Sequence, residues 1–264
     1  MPGKTLVQYS GPTWNNEELE AALFAILCGK WLSAGENVAQ FERQFSKHLG
    51  RKYSVMCNSG SSANLLMMST IKSRRSYGFK DIEIITPVVC FPTTVAPIIQ
   101  CGFVPKFVDI DPASLNLDLD QVEKAIGPST KAISFAHVLG NPPDMDRVMS
   151  ICKERNLLLL EDNCDALGST WRGKPLGSFG LMSSCSFYPA HHITTGEGGM
   201  VSTDDETLDQ ILRSIMSWGR DCYCIGAANL SLSGTCGKRF SDWLAPGYAG
   251  ILDHKYIYQE VGYN

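Results

Sequence analysis

Apolar residues recur at helical spacing through residues 16–48: Leu19, Ala22, Leu23, Ile26 and Leu27, then Val38, Phe41 and Phe45, with His48 closing the stripe. The stretch Trp31-Leu-Ser-Ala-Gly35 interrupts that period. Beyond it, short apolar runs alternate with helical patterns. Ser54–Cys57, Ile82–Thr86, Val104–Val108, Ala132–His137, Leu157–Glu161 and Cys185–Tyr188 read as strands. Between them, helices are predicted with Leu65, Met68 and Ile71 on one face and an end near Lys72, and over Thr93–Cys101, Leu119–Ile126, Met145–Arg155 and Leu208–Trp218. Strands separated by helices of about ten residues predict an α/β sandwich with a mostly parallel sheet between helices. In residues 219–264 the periodicity fades and Gly, Ser, Cys and Tyr dominate. The expected division is therefore an α/β domain over 1–218 and a cysteine-containing segment over 219–264 that stops without a closing element.

Composition narrows the functional classes. A net charge of −4 gives no reason to expect nucleic acid or an anionic membrane as partner. The first residues lack an apolar stretch of signal-peptide length, and the run Leu157–Leu160 is far too short to span a bilayer, so a cytoplasmic protein is expected. Ten cysteines in a chain of this length without an export signal do not suggest a disulfide scaffold. Cys28, Cys57, Cys90, Cys101, Cys152 and Cys185 lie on apolar patterns and read as core. Cys164, the pair Cys222 and Cys224, and Cys236 leave metal binding open.

Four stretches carry candidate chemistry. Asn58-Ser-Gly-Ser-Ser-Ala-Asn64 joins a strand to a helix N-terminus, where free backbone N–H groups can cradle a phosphate, with Gly60, Ser61 and Ser62 at the turn. A helix cap with no ligand is the plainer reading of the same residues. Asp162 follows a buried strand, at the edge where α/β sheets bind ligands; as a simple cap of the next turn it would do no chemistry. Thr86-Pro-Val-Val-Cys-Phe-Pro-Thr-Thr94 sets an aromatic, Phe91, at another strand end, where such residues are more often core. Residues 183–199, SSCSFYPAHHITTGEGG, centre on His191 and His192, and no lysine occurs between Lys174 and Lys238. Histidine moves protons near neutral pH.

Together these motifs resemble the sugar aminotransferases that use pyridoxal phosphate, the DegT/DnrJ/EryC1/StrS family, over nearly the whole chain. That family's loop reads roughly S-F-x-x-x-K-x-x-T-T-G-E-G-G. Here Ser186, Phe187 and residues 194–199 fit it, while His191 stands at the lysine position. The resemblance implies the large domain of a fold-type I pyridoxal phosphate transferase, a small C-terminal domain missing from this chain, and a homodimer. It puts Asp162 on the cofactor's pyridine nitrogen, Asp165 near its ring oxygen and Phe91 on its ring face. Gly60, Ser61 and Ser186 fall to its phosphate, and Asn264 to the phosphate of a neighbouring subunit. Without the lysine no covalent imine forms, so pyridoxamine phosphate (PMP) would be held non-covalently, with His191 catalytic and His192 supporting the loop by hydrogen bonding.

The nearest subgroup is that of the CDP-4-keto-6-deoxyglucose 3-dehydrases, similar in Trp218-Gly-Arg-Asp-Cys-Tyr-Cys224 and Cys236-Gly-Lys-Arg-Phe240. It implies C3 deoxygenation of a nucleotide-linked 4-keto-6-deoxyhexose, CDP-linked in the subgroup, in lipopolysaccharide dideoxysugar synthesis. A [2Fe-2S] cluster on Cys164, Cys222, Cys224 and Cys236 would carry electrons from a flavin and iron–sulfur reductase. The subgroup has seven residues between the last two cysteines and this chain has eleven, residues 225–235. A cluster-free histidine dehydratase, a true sugar aminotransferase and an inactive truncated scaffold are the alternatives.

Overall fold

The computed structural model describes residues 11, 14–29, 34–221 and 256–263. Cys222, Cys224, Cys236 and Asn264 lie outside the described residues. In chain order the elements are α1 (Asn16–Cys28), α2 (Glu36–Leu49), β1 (Tyr53–Cys57), α3 (Gly60–Lys72), β2 (Glu83–Pro87), α4 (Pro92–Gln100) and β3 (Val104–Val108). Next come the short pair β4 (Ile110–Asp111) and β5 (Asn116–Leu117), α5 (Leu119–Ala125), β6 (Thr130–Ala136), α6 (Met145–Arg155) and β7 (Leu158–Asp162). A second short pair, β8 (Thr170–Trp171) and β9 (Lys174–Pro175), leads to β10 (Met182–Ser186), β11 (Gly199–Thr203) and α7 (Glu206–Met216).

Seven strands form one sheet in the order β1-β11-β10-β7-β6-β2-β3. The pairs from β10 to β3 are all parallel, and β11 runs antiparallel to both its neighbours. Six strands therefore share a direction, as the alternation of strands and helices predicts. Their C-terminal ends, at Cys57, Pro87, Val108, Ala136, Asp162 and Ser186, lie along one edge of the sheet.

Alternate residues of each strand face opposite layers. One face packs Ile84, Ala132, Leu160, Met182 and Val201 against Leu66 and Ile71 of α3, Ile98 of α4, and Leu208, Ile211 and Ile215 of α7. The other packs Ile85, Ile133, Phe135 and Leu159 against Val122 of α5 and Met145, Val148 and Ile151 of α6, and sets Cys185, Phe187 and Met200 against Phe45 and Leu49 of α2. Arg213 of α7 ties α2 to β1 around the sheet edge, with Glu42 Oε2 at 3.0 Å and the Ser54 carbonyl accepting at 3.1 Å.

Two expectations fail. Cys28 is exposed rather than core and Cys90 is half-buried, whereas Cys57 packs against the core and Cys101, Cys152 and Cys185 are buried. The reason for Cys28 lies in α1, which is well capped by Asn15 and Glu18 but buries none of its residues. Its stripe leaves Leu23, Phe24, Ile26 and Leu27 exposed. The other difference is β11, a strand that the pattern does not predict. All five of its residues are buried, so it shows no alternation of apolar and polar positions. Among the described residues, no helix is long and apolar enough to cross a membrane.

Candidate active site

The C-terminal edge of the sheet gathers the candidate residues by simple topology, because each follows the end of a parallel strand or opens the next helix. The cradle comes first. Ser59 caps α3, its hydroxyl accepting the Ser62 amide at 3.1 Å. Gly60 and Ser61 are the first two helical residues, so their amides have no intrahelical acceptor. The packing here demands glycine. A Cβ on Gly60 would stand 2.6 Å from Ser186 Cβ and 2.9 Å from Cys164 Sγ. A Cβ on Gly199 would strike the backbone of Ser59 and Gly60. Three expected site residues, Gly60, Cys164 and Ser186, are thus brought into contact. The Ser61 hydroxyl reaches Thr93 at 3.1 Å, and the Ser186 hydroxyl accepts the Tyr188 amide at 3.3 Å.

Asp162 closes the inner wall. It is 5% exposed and its Oδ2 accepts from Asn64 Nδ2 at 2.8 Å and from the Thr94 hydroxyl at 2.9 Å. Its Oδ1 accepts the Cys164 amide at 3.2 Å and lies 3.4 Å from the Ser184 hydroxyl. These donors hold the carboxylate in one orientation, without a charge partner among the described residues. Asn64 and Thr94 were not singled out by the sequence. Their signal was present, since both lie within the stretches that form the cradle and the Phe91 turn. Phe91 stands 69% exposed just before α4, on the open side of the site.

Beneath this wall, Glu161 points to the opposite face and is fully buried. Its carboxylate accepts from His137 Nε2 at 2.9 Å and from the amides of Gly177, Phe179 and Gly180 at 2.9, 2.8 and 2.6 Å. Burial opposes its ionisation, but the His137 contact and the backbone donors outweigh that and hold the carboxyl below the usual range. The effect is to clamp the end of β7, one residue before Asp162.

His191 sits in the connection between β10 and β11. Its amide donates to the Tyr188 carbonyl at 2.9 Å. The loop is closed at its base by Phe187, whose carbonyl accepts the Thr194 hydroxyl at 2.9 Å and the Thr195 amide at 3.0 Å. Phe187 itself is fully buried against Phe41 and Phe45. The Thr-Thr-Gly run therefore has a structural purpose, fixing where the histidine leaves the sheet. His191 Nδ1 lies 3.2 Å from Asp165 Oδ1. His192, expected to support the loop, is instead exposed and makes no hydrogen bond among the described residues. The loop is held by its threonines, which leaves that role already filled.

Comparison with known proteins then decides the family. Residues 14–231 match the DegT/DnrJ/EryC1/StrS aminotransferase family. The chain belongs to it. Among curated relatives, it is 42% identical to the dTDP-4-dehydro-2,6-dideoxy-D-glucose 3-dehydratase of Saccharopolyspora spinosa, over 99% of this chain and 56% of the relative. It is also 42% identical to the lipopolysaccharide biosynthesis protein RfbH of Salmonella typhimurium, over 99% of this chain and 59% of the relative. A solved GDP-4-keto-6-deoxymannose-3-dehydratase with a trapped PLP-glutamate geminal diamine superposes with a TM-score of 0.77 at 41% identity. That match covers 81% of this chain and 56% of the neighbour. The chain thus spans little more than half the length of these relatives.

The residues present fit the cofactor of this family. The helix N-terminus at Gly60 and Ser61 offers amides to a phosphate, and Ser186 lies against Gly60 with its hydroxyl beside them. Asp162 is an oriented acceptor at the strand end. The iron–sulfur group stands differently. Among the described residues, no group of three or more His, Cys, Asp or Glu is placed to hold a metal ion. Cys164 is the single donor of its expected set that is described. Burial first, and then the Asp162 charge, pushes its thiol well above the usual range.

Proposed function

We propose that the protein removes the C3 hydroxyl of a nucleotide-linked 4-keto-6-deoxyhexose, using PMP held without a covalent bond and His191 to move protons. The observation that carries this reading is His191 itself: it occupies the lysine position of the family loop, at the sheet edge that also presents Asp162 and the Gly60 cradle. When bound, PMP would supply the amine that condenses with a ketone and the ring that draws electrons from the adjoining carbons. Asp162, fixed by Asn64 and Thr94, would hold the ring nitrogen protonated. Gly60, Ser61 and Ser186 would bind the phosphate, and Phe91 would cover the ring face. Asn264, outside the described residues, is assigned to a neighbouring subunit's phosphate in a homodimer. His191 would take a proton from the cofactor's C4′ carbon and assist departure of the C3 hydroxyl as water.

Replacing that hydroxyl by hydrogen consumes an electron pair. The finer proposal is that a [2Fe-2S] centre on Cys164, Cys222, Cys224 and Cys236 delivers it from a flavin and iron–sulfur reductase, with CDP as the nucleotide. The cysteine order along the sequence supports this. A metal would have to displace the proton that its surroundings favour on Cys164. The names of the Saccharopolyspora relative and the solved neighbour support the sugar class and the 3-dehydratase chemistry, and that of the Salmonella relative supports lipopolysaccharide synthesis. The test is turnover of CDP-4-keto-6-deoxyglucose with PMP, with and without a reductase and reconstituted iron. A 3-deoxy product in either case supports the dehydratase; an intact sugar with bound PMP contradicts it. Dependence on iron then separates the cluster-dependent reading from the cluster-free one.

A further inference from the structure

Asp165 and His191 leave the C-terminal ends of adjacent parallel strands, β7 and β10. Both are fixed by their own backbones. Asp165 lies in a turn closed by the Ala166 amide on the Asn163 carbonyl at 3.2 Å, and His191 in one closed on Tyr188 at 2.9 Å. Across the gap, His191 Nδ1 and Asp165 Oδ1 stand 3.2 Å apart. Neither side chain has another polar partner among the described residues. At that distance a small turn of the imidazole makes a hydrogen bond, and such contacts tighten when a site fills.

We propose that Asp165 is a positioning residue for His191, an assignment that rests on the reading of His191 as proton carrier. A neutral imidazole has one donor nitrogen and one acceptor nitrogen, and an ionised carboxylate only accepts. Asp165 therefore selects the tautomer protonated at Nδ1 and leaves the Nε2 lone pair for the reaction. The family resemblance instead puts this position near the cofactor's ring oxygen, where Gln or His often stands. Those residues can donate a hydrogen bond to an oxygen, and an ionised aspartate cannot. With histidine in place of lysine, a carboxylate here gains a partner that a donor would serve less well.

The test reads the tautomer, not turnover. Histidine labelled with nitrogen-15 is incorporated into the full chain, without cofactor. Ring nitrogen shifts are recorded at pH 8, above the range where an ordinary imidazole, about 6.5, is protonated twice. His191→Asn identifies the His191 signals among the five histidines. The expected result is Nδ1–H at His191 in the wild type and a shift toward Nε2–H in Asp165→Ala. Nε2–H in the wild type overturns the proposal whether or not the variant folds. So does an unchanged tautomer in Asp165→Ala, and a loss of PMP affinity alongside it would return Asp165 to the cofactor. Because no sugar is involved, these outcomes stand apart from whether the protein is a dehydratase.

Discussion

At the scale of single residues, the proposed chemistry turns on one position in the loop after β10, His191. His191→Lys is expected to capture pyridoxal phosphate as an imine, which borohydride fixes to the chain for detection by mass spectrometry, and to abolish dehydration. Gly60 is as restricted by space as His191 is by chemistry. Gly60→Ala places a methyl against Ser186 and Cys164. Overpacking of that kind costs about 1–3 kcal/mol, and PMP affinity measured by fluorescence titration should fall ~tenfold or more. Much of this site was legible in the sequence, because a glycine–serine turn, a strand-end aspartate and a histidine loop are local patterns. The convergence of Asn64 and Thr94 on Asp162, and the pairing of His191 with Asp165, were not. They join positions far apart in the chain, and only the adjacency of β7 and β10, and of α3 and α4, brings them together.

At the scale of elements, the end of β7 is held by a buried charge. Glu161 has its carboxyl lowered in the folded state, so its contribution is complete above the unfolded value, about 4.3, and is lost as pH falls through the lower folded value. Urea unfolding from pH 7 down to pH 3.5 should show wild-type stability falling below about pH 4.5. Glu161→Gln should start about 3 kcal/mol lower and vary less with pH over the same interval. An equal slope in both would remove Glu161 from this role. Elements were the most readable level of the sequence, since β2, β6 and β7 carry apolar runs, and α4 and α6 follow β2 and β6 with periodic helical patterns. The two departures share a cause in tertiary context. Strand β11 is buried on both faces and loses its alternation, while α1 has an apolar stripe that no described residue covers.

For the whole molecule, the sheet edge unites a helix N-terminus, an oriented carboxylate and a histidine in a chain that belongs to the DegT/DnrJ/EryC1/StrS family. The cysteine proposal is a property of this scale, because its donors come from 164 and from the segment after 221. Anaerobic reconstitution should yield iron and acid-labile sulfide together with thiolate-to-iron absorption, and Cys222→Ser should abolish both while leaving PMP binding intact. Iron-free protein after reconstitution would remove the cluster and leave the dehydration. That reaction is the central claim, and its most direct measurement follows CDP-4-keto-6-deoxyglucose by NMR in deuterated water with PMP, reconstituted iron and a flavin and iron–sulfur reductase as the source of the electron pair, comparing wild type with His191→Asn. The account expects the wild type to lose the C3 hydroxyl and take up deuterium at C3, and the variant to bind PMP but react ~100-fold slower or less. A variant as fast as wild type, or a wild type that binds PMP and leaves the sugar unchanged, would contradict it.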